Sequence, residues 1–333
     1  MNNEKQILNK QGTRTDLGGH FEAVVSLPTE RTGYSQTFEI NRIYNESNCD
    51  TMRRMPEGCV NLVMTSPPYA EARIKTYGGV SPDEFVGWFK PIAKEIYRVL
   101  ADDGSFILNI GDNTINGETH LYTFELPIML KREIGFKFID PLIWHKKTAP
   151  PGRYTNRFKD SWEFCYHFAK QTNIKFRPQA VAKPAKQVSI ERAMRHKETH
   201  ELISNTGSGF TNPNKNLQRR IRQNQSGFGT NDERLNELEL ALPGNVLHLS
   251  GETTNVGHSA PFPLGIPEFF IKALTDEKDL VYDPFMGSGT TAIAAMRLYR
   301  NYAGSELSQE CYENCIRRLK PYITMPHLFN EVN

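Results

Sequence analysis

Little in this sequence points to a membrane, a secreted scaffold or a bound metal. No apolar run approaches the roughly 18 residues that a membrane-spanning helix needs, so no span is expected. The opening residues, Met1–Asp16, are polar and lack the apolar core of a secretory leader. Cysteine is scarce, five in 333 residues and an odd number, so no disulfide framework is expected. A reducing cytoplasm is the expected location. His145 and His167 stand alone as metal candidates, and no metal is expected. Net charge is small as well, +2, so any nucleic-acid face must come from charge segregation along the chain.

What is present looks globular. Hydrophobic residues make up 38% and charged residues 23% of the chain, enough for one large core or two modest domains. Residues 1–36 carry few apolar clusters and are expected to form a loose arm. Beyond them, a strand is expected from Phe38, with Ile40, Ile43 and Tyr44 as its apolar set, and Cys59–Met64 reads as a buried strand. That strand runs into Thr65-Ser66-Pro67-Pro68-Tyr69, where two prolines force the chain out of the sheet. Ser81, Pro82 and Glu84 form a helix start with a capping box. A helical stripe of Phe85, Trp88, Phe89, Ile92, Ile96 and Leu100 follows, with an expected kink at Pro91. Ser105–Ile110, Phe136–Trp144 and Trp162–Phe168 are expected strands. Glu233–Leu242 and Pro267–Leu274 are expected helices. Asp279–Tyr282 and Asn301–Gly304 read as strands around a helix at Thr290–Leu298, and a last helix carries Cys311 and Cys315. Strands alternating with helices at both ends give an α/β fold with a mostly parallel sheet.

Between a strand and a helix lies Asp283-Pro284-Phe285-Met286-Gly287-Ser288-Gly289-Thr290-Thr291. Glycines there let the backbone turn sharply and approach a ligand. Glu306 follows the next strand, where a carboxylate can take both hydroxyls of a ribose. The pair implies an adenosine-containing cofactor. A P-loop is disfavoured, because Thr290 stands where that loop needs lysine. A nicotinamide site stays open, since Gly287–Ala292 fits G-x-G-x-x-A with an acid about 20 residues on. An ordinary strand-to-helix turn stays open too.

Ser66–Tyr69 sits at the carboxyl end of an expected parallel strand, where open α/β sheets bind ligands. The prolines fix the Ser66 hydroxyl and the Ser66 and Pro67 carbonyls, which can accept N–H bonds from an amine. Tyr69 offers a flat face for a base. A lone Pro-Pro pair would mean only a rigid turn. Taken together, Ser66-Pro67-Pro68-Tyr69 and the downstream glycine turn resemble the β-class amino-methyltransferases of DNA. Gly257-His258-Ser259-Ala260-Pro261-Phe262-Pro263 resembles that family's remaining cofactor motif, although the family usually carries Lys-His-Pro-Ala at its start. Asn48-Cys49-Asp50 resembles the family's acidic site near the adenine. The likeness covers most of residues 38–320, excluding the basic stretch that begins at Lys170.

This resemblance implies a doubly wound, mostly parallel seven-stranded sheet with an inserted DNA-recognition region. The implied layout is a catalytic half at 37–170, a target-recognition insert at 171–240 and a cofactor-binding half at 241–325. The implied cofactor is S-adenosyl-L-methionine, held by Asp50, Thr65, His258, Phe262, Pro263, Asp283, Pro284, Phe285, Gly287, Ser288, Gly289, Thr290, Thr291 and Glu306. Ser66, Pro67, Pro68 and Tyr69 are the implied catalytic turn. Serine at position 66 resembles the cytosine-N4 subgroup; adenine-N6 enzymes usually carry Asp or Asn there. Cytosine-C5 chemistry is disfavoured, because none of Cys49, Cys59, Cys165, Cys311 and Cys315 follows a proline.

From Lys170 to Arg222 there are twelve basic and three acidic residues, the imbalance that a phosphate-binding surface needs. Lys147, Arg153, Lys183, Lys186, Arg192, Arg195, Arg219, Arg220 and Arg222 are the expected DNA contacts. Double-stranded DNA with its target base flipped out is the expected partner. A restriction endonuclease acting on the same site, without a stable complex, is a second expected partner. Two other functions compete: a nicotinamide-dependent oxidoreductase and a catalytically silent DNA-binding protein. Asp112 reads as a turn cap.

Overall fold

The computed structural model describes residues 37–70, 79–147, 156–186, 191, 240–250 and 262–324. The strands are β1 (Arg42–Tyr44), β2 (Val60–Thr65), β3 (Leu100–Ile110), β4 (Thr114–Ile115), β5 (Glu118–Thr119) and β6 (Lys137–Lys146). They continue with β7 (Trp162–Ala169), β8 (Lys183–Pro184), β9 (Leu240–Ala241), β10 (Val246–Leu249), β11 (Leu280–Asp283) and β12 (Asn301–Ser305). The α-helices are α1 (Asn48–Arg54), α2 (Pro82–Val99), α3 (Tyr122–Met129), α4 (Gly265–Leu274), α5 (Thr290–Arg297) and α6 (Gln309–Thr324).

Eight strands form one sheet in the order β1-β12-β11-β2-β3-β7-β6-β10. Neighbours are parallel except at β7, which runs antiparallel to both β3 and β6. Where seven strands are expected, β10 adds an eighth at the edge, paired with β6 from Ile143 to Lys146.

Period-two alternation sorts the strand side chains into two cores. Leu62, Met64, Ile107, Cys165 and Val281 pack with Phe270 of α4, Ile293 of α5 and Leu319 of α6. Val63, Phe106, Leu108, Tyr166 and Tyr282 belong to the other core, with Met52 of α1, Phe85 and Phe89 of α2 and Leu126 of α3. Helices therefore cover both faces, and the sheet is doubly wound. Phe85, Phe89 and Phe106 are fully buried, and each ring contributes about 1.5–3 kcal/mol.

Some local expectations change. The Ser81 hydroxyl donates to the Glu84 carboxylate at 2.8 Å, so the two side chains satisfy each other rather than the backbone. Pro91 lies inside α2, which ends at Val99, and Leu100, expected as the last residue of the helical stripe, instead opens β3. The expected helix at Glu233–Leu242 does not extend over its described end: Leu240 and Ala241 form β9, paired with β8. Asp112 accepts from the Thr123 hydroxyl at 2.9 Å, at the start of α3.

Three cations of the basic stretch lie away from the sheet's carboxyl edge. Lys175 pairs with Asp279 at 2.6 Å and Asp276 at 2.9 Å, Arg177 pairs with Asp276 at 2.5 Å, and Lys170 lies 3.6 Å from Asp102. Asp279 immediately precedes β11, so its pair sits at the amino end of that strand, opposite the end where such sheets hold ligands. Lys175 and Arg177 hold the Asp276 carboxyl below its ordinary pKa. Lys175 and Arg177 tie the chain after β7 to the loop between α4 and β11, and Lys170 ties it to the start of β3.

Candidate active site

The carboxyl ends of β1, β2, β11 and β12 open into a cavity of about 590 Å³. Glu46–Cys49 follow β1, Ser66–Tyr69 follow β2, Pro284–Ser288 follow β11, and Glu306 follows β12; all line it. Trp88 of α2 closes one side. Strands β2 and β11 are neighbours in the sheet, so two turns far apart in sequence share one cavity.

Asp283 braces that meeting point. It is 1% exposed and ends β11. Its Oδ1 accepts the Thr65 hydroxyl at 2.6 Å and the Phe285 N–H at 3.0 Å, and its Oδ2 accepts the Thr291 hydroxyl at 2.7 Å. One carboxylate thus joins the end of β2, the turn and the first turn of α5. Burial pushes its pKa up to about 6, against the pull of the three donors. Gly289 has φ +84°, and a Cβ there would lie 2.7 Å from Cys315 Sγ, so α6 packs directly on the turn. Arg318 of α6 donates to the Ser288 carbonyl at 2.6 Å and to its hydroxyl at 2.7 Å. Glu306, 3% exposed, accepts the Gly287 N–H at 2.9 Å and the Ser308 N–H at 2.8 Å. Both Glu306 oxygens thus brace the chain, one at the glycine turn and one just before α6.

The Ser66–Tyr69 turn is held from the other side of β2. The Tyr69 hydroxyl donates to Glu163 Oε2 at 2.7 Å, and the Ser66 hydroxyl donates to the Tyr69 oxygen at 3.4 Å. Asn109 also donates to Glu163 Oε2, at 3.1 Å, while Lys146 Nζ lies 2.6 Å from Glu163 Oε1. Burial and the Glu163 carboxylate push the Tyr69 phenol well above its ordinary pKa, so it stays protonated. The cavity wall thus carries the Ser66 hydroxyl beside the Tyr69 side chain.

The profile of the N6_N4_Mtase family, described as DNA methylase, matches residues 60–317. The chain belongs to this family of DNA methylases. Among its relatives, the type II methyltransferase M.PvuII of Proteus hauseri is 28% identical over 80% of this chain and 80% of its own. The orphan methyltransferase M.BamHII of Bacillus amyloliquefaciens is 28% identical over 80% of this chain and 91% of its own. In fold, the methylase is similar to the solved PvuII DNA methyltransferase, described as cytosine-N4-specific, with a TM-score of 0.60 at 23% identity, covering 89% of this chain and 97% of that one. A Thermus thermophilus protein solved in complex with S-adenosyl-L-methionine gives a TM-score of 0.53 at 21% identity, covering 85% and 94%.

Of the residues singled out from sequence, Ser66, Pro67, Pro68, Tyr69, Phe262, Pro284, Phe285, Gly287, Ser288, Thr290 and Glu306 line the methylase cavity. Phe285 also packs on Trp88 at 5.7 Å between ring centroids. Thr65, Asp283 and Thr291 stand behind the wall as the buried brace, and Pro263 accepts the Ile266 N–H at the start of α4. Asp50 does not line the cavity; it pairs with Arg53 at 2.6 Å. The acid that does so on this arm is Glu46, held by Arg54 and by the Thr51 hydroxyl. Lys147, Lys183 and Lys186 are exposed, and Lys147 directly follows β6. His258, Arg153, Arg192, Arg195, Arg219, Arg220 and Arg222 lie outside the described residues. His167 is buried, which pushes its pKa down to about 4, and it bonds Ser105 at 2.9 Å. His145 meets His248 at 3.2 Å across β6 and β10.

Sequence patterning missed Glu163, Lys146, Asn109, Glu46 and Arg318. For Glu163 a signal existed: an acid inside the apolar run Trp162–Ala169 needs a buried partner. Gly111 is a second overlooked position. A Cβ there would lie 2.9 Å from the Tyr69 ring and 3.3 Å from the Glu163 carboxyl carbon. Gly111→Ala is therefore expected to shift Tyr69, cost about 1–3 kcal/mol of stability and lower kcat on DNA by about 100-fold. Cofactor affinity should stay unchanged. Wild-type turnover in this variant would mean that the Tyr69 position does not matter.

Proposed function

We propose that this methylase transfers a methyl group from S-adenosyl-L-methionine to the exocyclic N4 amine of a cytosine flipped out of duplex DNA. The observation that carries the reading is the Ser66–Tyr69 turn opening into the same cavity as the glycine turn and Glu306. Serine, rather than an acid or amide, follows β2, and the solved relative described as cytosine-N4-specific shares the fold.

The cavity chemistry fits the cofactor. Glu306 suits the ribose hydroxyls, Phe285 and Trp88 suit a flat ring, and the carboxylates Glu46 and Glu306 suit a cation. A nicotinamide dinucleotide fits poorly. The Gly287 N–H, which that fingerprint would turn toward a pyrophosphate, is bonded to the Glu306 carboxylate at 2.9 Å. A second carboxylate, Glu46, lines the same cavity.

The cofactor supplies an electrophilic methyl on a sulfonium sulfur. The protein's task is to make a poor nucleophile attack in line. Ser66 Oγ and the Pro67 carbonyl accept the amine N–H bonds, which localises the nitrogen lone pair and stabilises the positive charge that develops there. The Tyr69 ring holds the flipped base. Such positioning contributes roughly 7–11 kcal/mol in ideal cases, and no covalent intermediate is needed. The exposed Lys147, Lys183 and Lys186, together with the arginines between Arg192 and Arg222, supply phosphate contacts. Among the described residues no helix is long and apolar enough to cross a membrane. The type II relative supports a role as the modification enzyme beside a restriction endonuclease, acting on a shared site without a stable complex.

The test is incubation with radiolabelled S-adenosylmethionine and mixed-sequence duplex DNA, then separation of the nucleosides. N4-methylcytosine is the expected labelled product. Label in N6-methyladenine would overturn the base assignment. Cofactor binding without transfer to nucleic acid would leave a silent DNA-binding protein.

A further inference from the structure

The Glu163–Lys146 pair does more than the reaction above requires. Glu163 is 8% exposed on β7, and Lys146 ends the adjacent β6. A buried carboxylate is costly unless donors surround it. Here Lys146, Tyr69 and Asn109 all point hydrogens at it. We propose that Glu163, clamped by Lys146, is a positioning residue that sets the hydrogen-bond polarity of the Ser66–Tyr69 pair and so selects an N–H donor as the target. This rests on the reading of Ser66–Tyr69 as the amine pocket.

The logic is one of counting hydrogens. A hydroxyl has one to give. Tyr69 gives its hydrogen to Glu163 at 2.7 Å, so its oxygen can only accept from Ser66. Ser66 gives its own hydrogen to Tyr69, so its oxygen faces the cavity as an acceptor. An amine N–H is matched there. A base carbonyl, which also only accepts, is not. Without the Glu163 charge, Tyr69 can turn its hydrogen toward Ser66, and Ser66 then turns its own toward the substrate amine, donor against donor. Lys146 fixes the direction of the carboxyl through its 2.6 Å contact with Oε1, with its ammonium 5.4 Å from the centre of the Trp144 ring. A glutamine at 163 has one oxygen, which cannot serve Lys146 on one side and Tyr69 with Asn109 on the other.

A double-mutant cycle tests this on duplex DNA. Glu163→Gln and Tyr69→Phe should each lower kcat by about 10- to 100-fold. KM for DNA and the Kd for S-adenosylmethionine should stay within a few-fold. The double variant should be no slower than the slower single variant, because both remove one relay. A strand-linking ion pair alone would give effects that multiply in the double variant, and that result overturns the inference, as would wild-type kcat in Glu163→Gln. Thermal melting checks folding. Should Glu163→Gln fail to fold, the Lys146→Met and Tyr69→Phe cycle reads the same coupling. Unchanged kcat in both Ser66→Ala and Tyr69→Phe would sink the amine-pocket reading itself. Slow Ser66→Ala and Tyr69→Phe with uncoupled Glu163→Gln would sink only the role of Glu163.

Discussion

Asp283→Ala should abolish detectable methylation and destabilise the fold by about 3 kcal/mol or more, since each buried donor left without an acceptor costs about 1–3 kcal/mol. Three donors lose their acceptor at once: the Thr65 and Thr291 hydroxyls and the Phe285 N–H. The loss falls where β2, β11 and α5 meet, so both turns of the active site loosen together. Asp283→Asn separates geometry from charge. Its amide oxygen can keep Thr65 and Phe285, and the Thr291 hydroxyl can turn to accept from the new NH₂. What the amide lacks is titration. Burial raises the Asp283 pKa from 3.8 to about 6, so the folded protein holds this proton more tightly than the unfolded chain. Between about pH 4 and pH 6 the folded state binds more protons, and the Asp283 contribution to stability therefore falls as pH rises through that window. The asparagine variant loses this slope. Relative to wild type, its stability should climb from pH 4 to pH 7 by up to about 3 kcal/mol. Urea unfolding of both proteins across that range measures the difference; a constant offset would mean that Asp283 does not titrate there.

Elements with a complete local signal are legible in the sequence itself. β2, β6, β7, β11 and β12 begin and end within two residues of their expected limits, and β3 ends at Ile110 as expected but begins at Leu100 rather than Ser105. The elements that escape have weak local signals. α1 buries only Thr51 and Met52 and has no side-chain cap. α3 keeps Phe124 and Ile128 exposed, which blurs its period. β10 is four residues long, and its pairing with β6 defines it. Leu240–Ala241 read as a helix end because their partner, Lys183–Pro184, lies far away in sequence.

The site divides along the same line. The serine-proline turn and the glycine turn are contiguous strings, and local geometry dictates them. Their shared cavity follows from β2 and β11 being neighbours. Glu163 stands out as an acid in an apolar run, but its partner is hidden in the sequence, because the contact with Tyr69 spans 94 residues and needs β7 to insert between β3 and β6. Asp50 and Glu46 are four residues apart, and only the path of the chain out of β1 decides that Glu46 faces the cavity while Asp50 pairs with Arg53. The charge excess counted from Lys170 to Arg222 overstates the unpaired charge of that stretch for a related reason. Lys175 and Arg177 are spent on Asp276 and Asp279, partners that only the folded chain brings near.

Glu306→Ala should weaken S-adenosylmethionine binding by about 100-fold or more, since two charge-assisted bonds at about 1.5–3 kcal/mol each are removed. The fold should survive. The Gly287 N–H that is released borders the cavity, where water can replace the lost carboxylate. Glu306→Gln retains one acceptor and should sit between wild type and alanine. The distinguishing readout is the split between constants. A residue that holds the cofactor ribose acts on the Kd and KM for S-adenosylmethionine and leaves kcat at saturating cofactor within a few-fold. A residue that only orders the glycine turn would lower kcat as well, because Phe285 and Pro284 share that turn and the same cavity. Equilibrium binding followed by turnover at saturating cofactor separates the two. An alanine variant that binds S-adenosylmethionine as tightly as wild type would remove Glu306 from the cofactor site and leave it as a brace for Gly287.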